Sequence, residues 1–238
     1  MRGTLRGCFW FPEAKLPDDA ARIESVRNRV AEVEVSRRGS PDPMAIAMAE
    51  RPHQFREMLC ARNWSIAVPN VCSINRPYLP VLLETENVVF PNTAFAVYDG
   101  PLYLLSIIAS KLHIAWVTTV CGRLRTDFRY SNTLGWNTFP VPTLTDKNMS
   151  DLTRCAEDIL LAREAHFPAT IADLYDPDNM PADLREAHER NDEVLERIYI
   201  GRRFRNDTER LEKLFDLYTK MTAGSGATKK NAKAGASA

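Results

Sequence analysis

The chain has 238 residues, 45% hydrophobic and 26% charged, and its 31 basic side chains are balanced by 31 acidic ones. That is ordinary globular composition, enough for one large domain or two small ones, and it excludes a collagenous, low-complexity or wholly disordered chain. A formal net charge of zero also excludes a globally basic coat for nucleic acid, so any anion-binding surface must be a local patch.

The start, Met1-Arg-Gly-Thr-Leu-Arg6, carries no apolar secretory core with a small-residue cleavage site. Cys8-Phe-Trp-Phe11 reads as a short strand. Asp18 and Asp19 open a helix predicted through about Arg37, with Ile23, Val26, Val30 and Val33 at helical spacing and acidic residues in the first turn, where the dipole favours them. Arg37-Arg-Gly-Ser-Pro-Asp-Pro43 breaks that helix, and a short helix follows over residues 44–50. From Trp64 the pattern changes to short strands, predicted at residues 64–68, 78–83, 88–90 and 93–98, joined by Asn, Pro and Gly turns. Residues 101–120 are almost long enough to span a membrane, but Ser106, Ser110, Lys111 and His113 interrupt the run. It reads as a buried helix over residues 102–118.

Residues 121–130 form the next predicted strand. Arg123, Arg125, Asp127 and Arg129 alternate with Leu124, Thr126, Phe128 and Tyr130. Period two puts successive side chains on opposite faces, so one face can pack and the other carries four charges. Two readings stay open: a surface that meets something charged, or a solvated edge strand whose Arg and Asp side chains pair with one another. After Pro142 the chain turns helical, with amphipathic helices predicted at residues 150–165, from Pro181 through about residue 199, and from an Asn206 or Asp207 cap through about residue 221. The Gly-, Ala-, Ser- and Lys-rich residues 223–238 read as a disordered tail.

The fold class is therefore α+β: a small mixed β-rich unit packed with helices, followed by a C-terminal helical segment. Expected domains are residues 1–146, with a helical part at about 18–60, and residues 147–222. Catalytic motifs are missing. No Gly-x-Gly-x-x-Gly follows a strand, and there is no Walker loop, Gly-x-Ser-x-Gly elbow or His-Glu-x-x-His. His113 reads as a core histidine, Glu186-Ala-His188-Glu-Arg190 as a surface salt-bridge network, and Asp173, Asp176 and Asp178 as turn residues rather than metal ligands. Cys8, Cys60, Cys72, Cys121 and Cys155 are odd in number and never spaced Cys-x-x-Cys. They read as reduced thiols of a cytoplasmic protein, and no disulfide or metal site is expected.

Residues 120–133, Val-Cys-Gly-Arg-Leu-Arg-Thr-Asp-Phe-Arg-Tyr-Ser-Asn-Thr, followed by Trp136-Asn-Thr-Phe-Pro140, resemble the target-recognition region of the MmeI-like DNA adenine methyltransferases, the type IIG/IIL restriction-modification proteins. The likeness extends upstream through Ile66-Ala-Val-Pro-Asn70 to Pro80 and through Ala94-Phe-Ala-Val-Tyr-Asp-Gly100 to Leu105. Downstream it takes in Leu174-Tyr-Asp-Pro-Asp-Asn-Met-Pro181, Arg185-Glu-Ala-His188 and Asn191-Asp192. The family's glycine-bearing S-adenosylmethionine loop and its Asn-Pro-Pro-Tyr-type catalytic motif are absent from the chain.

The resemblance implies a C-terminal part of such an enzyme, one that chooses the DNA site without transferring the methyl group. No cofactor is expected in this chain, and S-adenosylmethionine belongs to the parent's catalytic domain. Expected partners are double-stranded DNA and a methyltransferase domain, in cis or in trans, with no membrane. Carried over residue by residue, the base readers are Arg125, Asp127 and Arg129, with Asn70, Asn92 and Thr93 near other specificity positions. Arg123, Arg27, Arg29, Arg37 and Arg38 would hold phosphates. Arginine bonds guanine O6 and N7 in the major groove and aspartate accepts from cytosine N4. Arg125 and Asp127, about 6 to 7 Å apart on one strand face, would then read a single G·C pair beside the methylated adenine, with guanine on the adenine's strand. The alternatives are a protein-interaction module and a separately encoded specificity subunit acting in trans.

Overall fold

The computed structural model describes residues 7–234, with side chains through Ala223. Contacts divide the described residues into two compact units, residues 7–60 and residues 61–234.

The first unit is helical. Helix α1 (Asp18–Arg22) and helix α2 (Glu24–Arg38) replace the single predicted helix, because Ile23 between them is extended at φ −80°, ψ 117°. Pro43 opens α3 (Pro43–Ala47), whose N-cap Asp42 accepts from the Met44 backbone N–H, and a 3-10 turn follows at Met48–Glu50. The strand expected at residues 8–11 is absent. Those aromatics stack instead, Phe9 on Phe11 at 6.2 Å and Trp10 on Phe55 at 5.9 Å between ring centroids. The Gln54 side chain donates to the carbonyls of Pro12 and Glu13, tying this extended segment down.

The second unit holds two three-stranded antiparallel sheets. Strand β1 (Trp64–Pro69) lies between β3 (Leu82–Thr85) and β4 (Ala94–Tyr98) in the first. The expected strand at residues 78–83 thus forms later, at 82–85, and residues 88–90 form none. In the second sheet, β2 (Val71–Cys72) pairs with β6 (Asp127–Arg129), which pairs with β5 (Arg123–Leu124). The first and second sheets are stitched by one residue. Asn70 donates its N–H to the Thr93 carbonyl beside the first sheet and accepts from Tyr130 N–H beside the second.

The apolar run becomes two helices, α4 (Tyr103–Ile108) and α5 (Lys111–Val120), because Ser110 is extended and caps the second through His113 N–H. No helix among the described residues is long and apolar enough to cross a membrane. Trp116 is fully buried on α5, with the rings of Phe215 and Tyr218 at 5.0 and 5.7 Å. These two rings come from α9 (Asp207–Ala234), which Asn206 caps through Glu209 N–H. Between them in sequence run α6 (Asp146–Glu164, capped by Thr145), the short α7 (Ile171–Leu174) and α8 (Ala182–Ile200), closed by Gly201 at φ 77°. Leu152, Leu195 and Leu214 of α6, α8 and α9 share one core with Ile66 and Val68 of β1 and with Leu112 of α5. Residues on either side of the boundary expected near residue 146 pack into this one core. Helix α9 runs to Ala234, and residues 235–238 of the expected tail lie outside the described residues.

Buried polar groups lock the helices. Asp192 on α8 accepts from the Tyr78 hydroxyl at 2.9 Å and from the N–H of Lys111, at the start of α5, at 2.8 Å. Arg163 on α6 donates to the Val81 carbonyl at 2.6 Å and to the Tyr175 hydroxyl, which also bonds His188 Nε2 at 2.6 Å. The surface network expected around His188 is thus only half right. Glu186 and Arg190 do pair at the surface, but His188 is fully buried, stacked on Tyr78 at 4.1 Å. Asp173 completes a capping box with Thr170, and Asp176 holds the Asp178 N–H and the Asn179 amide, as turn residues do.

Candidate nucleic-acid interface

The charged stretch is a β-hairpin, not one continuous strand. Arg123 pairs with Phe128 and Leu124 with Asp127, leaving Arg125-Thr126 as a two-residue loop. Arg125 sits at φ 58°. Positive φ at the first loop residue is common to the primed turns that close two-residue hairpins, whose twist matches that of the flanking strands. Glycine is the usual residue there, and the arginine hid the turn from a reading of alternation.

This geometry corrects the expected arrangement. Arg125 and Asp127 are not same-face neighbours on one strand, so they do not span one G·C pair as an i, i+2 pair. Asp127 and Arg129 are the pair on one face of β6, with Phe128, 1% exposed, pointing into the core between them. Arg125 stands at the tip. Arg123 pairs opposite Phe128 and lies on the other face of the edge strand, where it is exposed. Phe128 packs in a core with Cys72, Tyr130 and Phe139, and His113 donates to or accepts from the Tyr130 hydroxyl at 3.0 Å. Burial lowers the His113 pKa to about 3, so it is a neutral core histidine that supports the hairpin from below. Gly135 belongs to the π turn Asn132–Trp136 that follows the hairpin. A Cβ there would meet Val117 Cγ1 at 3.1 Å and Cys121 Sγ at 3.2 Å.

The four charges do not neutralise one another. Among the described residues no ion pair within 4.0 Å involves Arg123, Arg125, Asp127 or Arg129. That removes the reading in which they form a self-paired edge. Asn70, Asn92 and Thr93 come together at the same end of the unit: the Asn70 amide donates to the Asn92 carbonyl at 2.7 Å, and its backbone bonds Thr93 and Tyr130. Asn92 and Thr93 are exposed, while Asn70 is half-buried and its Oδ1 has no partner.

The expected phosphate-binding arginines of the first unit are largely engaged. Arg37 donates to three carbonyls, of Met48, Arg51 and Gln54. Arg27 donates to the carbonyls of Ala21 and Arg22. Arg29 pairs with Glu32 at 3.2 Å and Arg38 with Glu34 at 2.8 Å, both at the surface. Arg37 is a structural clamp in this arrangement.

Two further exposed residues of the hairpin sheet escaped the sequence reading. Val71 lies opposite Arg129 and Leu124 opposite Asp127. Both are large, apolar and exposed, at 39% and 51%. Only the strand pairing could reveal them, since in sequence Leu124 occupies an apparent inward position.

Fold and site define a binding module of the α+β class, in which a charged hairpin stands on a packed core. The chain belongs to the MmeI family: residues 1–143 match the model described as MmeI, target recognition domain, and residues 144–225 the model described as MmeI, C-terminal domain. DNA methyltransferase A of Bacillus subtilis (strain 168) is 39% identical over 225 residues, which are 93% of this chain and 25% of that protein. A solved structure of the type IIL restriction-modification enzyme MmeI in complex with DNA superposes with a TM-score of 0.85 at 27% identity, covering 91% of this chain and 29% of that one. The chain thus spans little more than a quarter of the length of these relatives.

Proposed function

We propose that this chain selects the DNA site for an N6-adenine methyltransferase of the restriction-modification type. The observation that carries the reading is the hairpin: three guanidinium groups and one carboxylate, unpaired and presented on a packed support, within residues that match a target recognition domain. A two-stranded ribbon fits the major groove of B-DNA, where arginine finds guanine O6 and N7 and aspartate finds cytosine N4. Asp127 and Arg129 read base edges from the face of β6 and Arg125 from the tip, with Asn92 and Thr93 beside them. Asn70 positions that loop. Arg123, on the other face, takes a phosphate, with Arg29 and Arg38 as further phosphate ligands once released from their exposed carboxylates.

Methyl transfer belongs to a domain outside these residues. S-adenosylmethionine would supply the methyl group there, and no step of that chemistry is assigned to this chain, which has no matching glycine-bearing loop or Asn-Pro-Pro-Tyr-type motif. The methyltransferase domain is joined in cis or meets this chain in trans, in the cytoplasm, where the DNA is. The test is duplex binding by the chain across a salt series, with sequence selection from a random duplex pool. Phosphate contacts give a linear fall of log affinity with log salt. Replacing Asp127 and Arg129 by alanine should change the bases selected. Binding without base preference, or preference indifferent to both substitutions, would defeat the proposal.

A further inference from the structure

The outer face of the hairpin sheet holds four side chains in a two-by-two block: Leu124 across from Asp127, and Val71 across from Arg129. Residues directly opposite in an antiparallel ladder lie on one face with Cβ atoms about 4.5–5.5 Å apart. The inner face is already filled by Phe128 and Cys72, at 1% and 4% exposure, so the core does not require apolar residues on the outside. Leu124 is also on β5, an edge strand. Exposed apolar residues on an edge invite unwanted pairing, and charged or polar ones are the usual protection. Leucine at this position is therefore a liability unless something apolar covers it.

We infer that Leu124 and Val71 form an apolar subsite for the C5-methyl group of thymine in the DNA major groove. The inference rests on the DNA-reading role proposed above. The thymine methyl is the one apolar group that the four standard bases present in that groove, and apolar side chains are its natural contact. Adjacent strands are about 4.8 Å apart and successive bases of one strand about 3.4 Å. Side chains on neighbouring strands therefore address neighbouring base pairs. Asp127 and Arg129 fix hydrogen bonds at their positions, and Leu124 and Val71 beside them impose a preference for thymine at the flanking ones.

Thymine and uracil differ by this methyl group alone, which gives a test from the DNA side. The 238-residue chain selects from two random duplex pools, one built with thymine and one with uracil in its place. The expected result is a preference for thymine at one or two positions, about threefold or more, as one methyl group withdrawn from water supplies, and its loss in the uracil pool. Leu124→Ser and Val71→Thr should erase it in the thymine pool while leaving the choices made by Asp127 and Arg129. Should either variant unfold, the pool comparison with the unaltered chain decides by itself. The same choice in both pools, or no thymine preference beside intact choices by Asp127 and Arg129, overturns the apolar subsite alone. Absence of any base preference overturns the DNA-reading role and the subsite with it.

Discussion

Replacing Arg125 with glycine should stabilise the protein while impairing recognition. Arg125 holds φ at 58°, a left-handed conformation that costs an L-residue about 1–2 kcal/mol. Glycine adopts it freely but loses about 0.5–1 kcal/mol more chain entropy on folding. The balance is a gain of about 0.5–1 kcal/mol. At about 2–4 °C per kcal/mol for a chain of this size, the melting midpoint should rise by roughly 1–4 °C. Arg125→Ala is the control, because it removes the guanidinium and keeps the strain. Its midpoint should stay near the unaltered protein, within about 0.5 kcal/mol. Both variants should lose the same base discrimination, about 1–3 kcal/mol for one bidentate contact. Thermal melts followed by circular dichroism and sequence selection on a duplex pool supply the two readouts. Equal midpoints for the glycine and alanine variants would refute the strain argument. Unaltered selection in both would refute a role for Arg125 at the tip.

The Glu196 carboxylate is 2% exposed and bonded to Arg210 at 2.6 Å and to Phe204 N–H at 2.9 Å. Arg210→Met, which strands this buried charge, should cost about 3–5 kcal/mol, and adding Glu196→Leu should restore most of it; urea titration of both variants measures the difference. Stability should also fall with acidification between pH 7 and 5. His113, held at a pKa of about 3 by burial, takes up its proton only on unfolding, where the ordinary value is about 6.5, so its contribution drops by ~2 kcal/mol over that range. Asp192, raised by burial to about 6, protonates in the folded state first and opposes the fall. Asp192→Asn should therefore steepen the loss, as urea midpoints at the two pH values would register. Gly135→Ala should cost about 1–3 kcal/mol by pressing on Val117 and Cys121, a loss that the melting midpoint reports.

Much of the architecture was legible because it rests on local signals. Trp64 to Val68 is a short strand-like run closed by Pro69-Asn70, Asp99-Gly100 turns, and Asn206 caps. The α+β class follows from these. The errors cluster where a side chain's identity disguises the backbone. Ile23 satisfied the helical period while breaking the helix, and Ser110 split a run that its apolar neighbours made look continuous. At Arg125 strict alternation of charge ran straight through a turn. The charged residues of this stretch stood out in the sequence, but their facing did not, since a two-residue loop moves Leu124 from an apparent inner position to an outer one. Long-range polar bonds such as Tyr78 to Asp192, 114 positions apart, leave no periodic trace at all.

Asn70 makes the hairpin and the central sheet neighbours without slack. Its peptide N–H belongs to one sheet and its carbonyl to the other, so no flexible linker lies between the hairpin and the core at this junction. A reader fastened in this way is stiff. In the proposed DNA-reading role, such a ribbon would extend or swivel little to follow a groove of the wrong width, and the work of adjustment would pass to the DNA. Sequences whose duplex deforms easily toward this surface would gain an advantage at base pairs that no side chain touches. Selectivity would then reach past the residues that make contact.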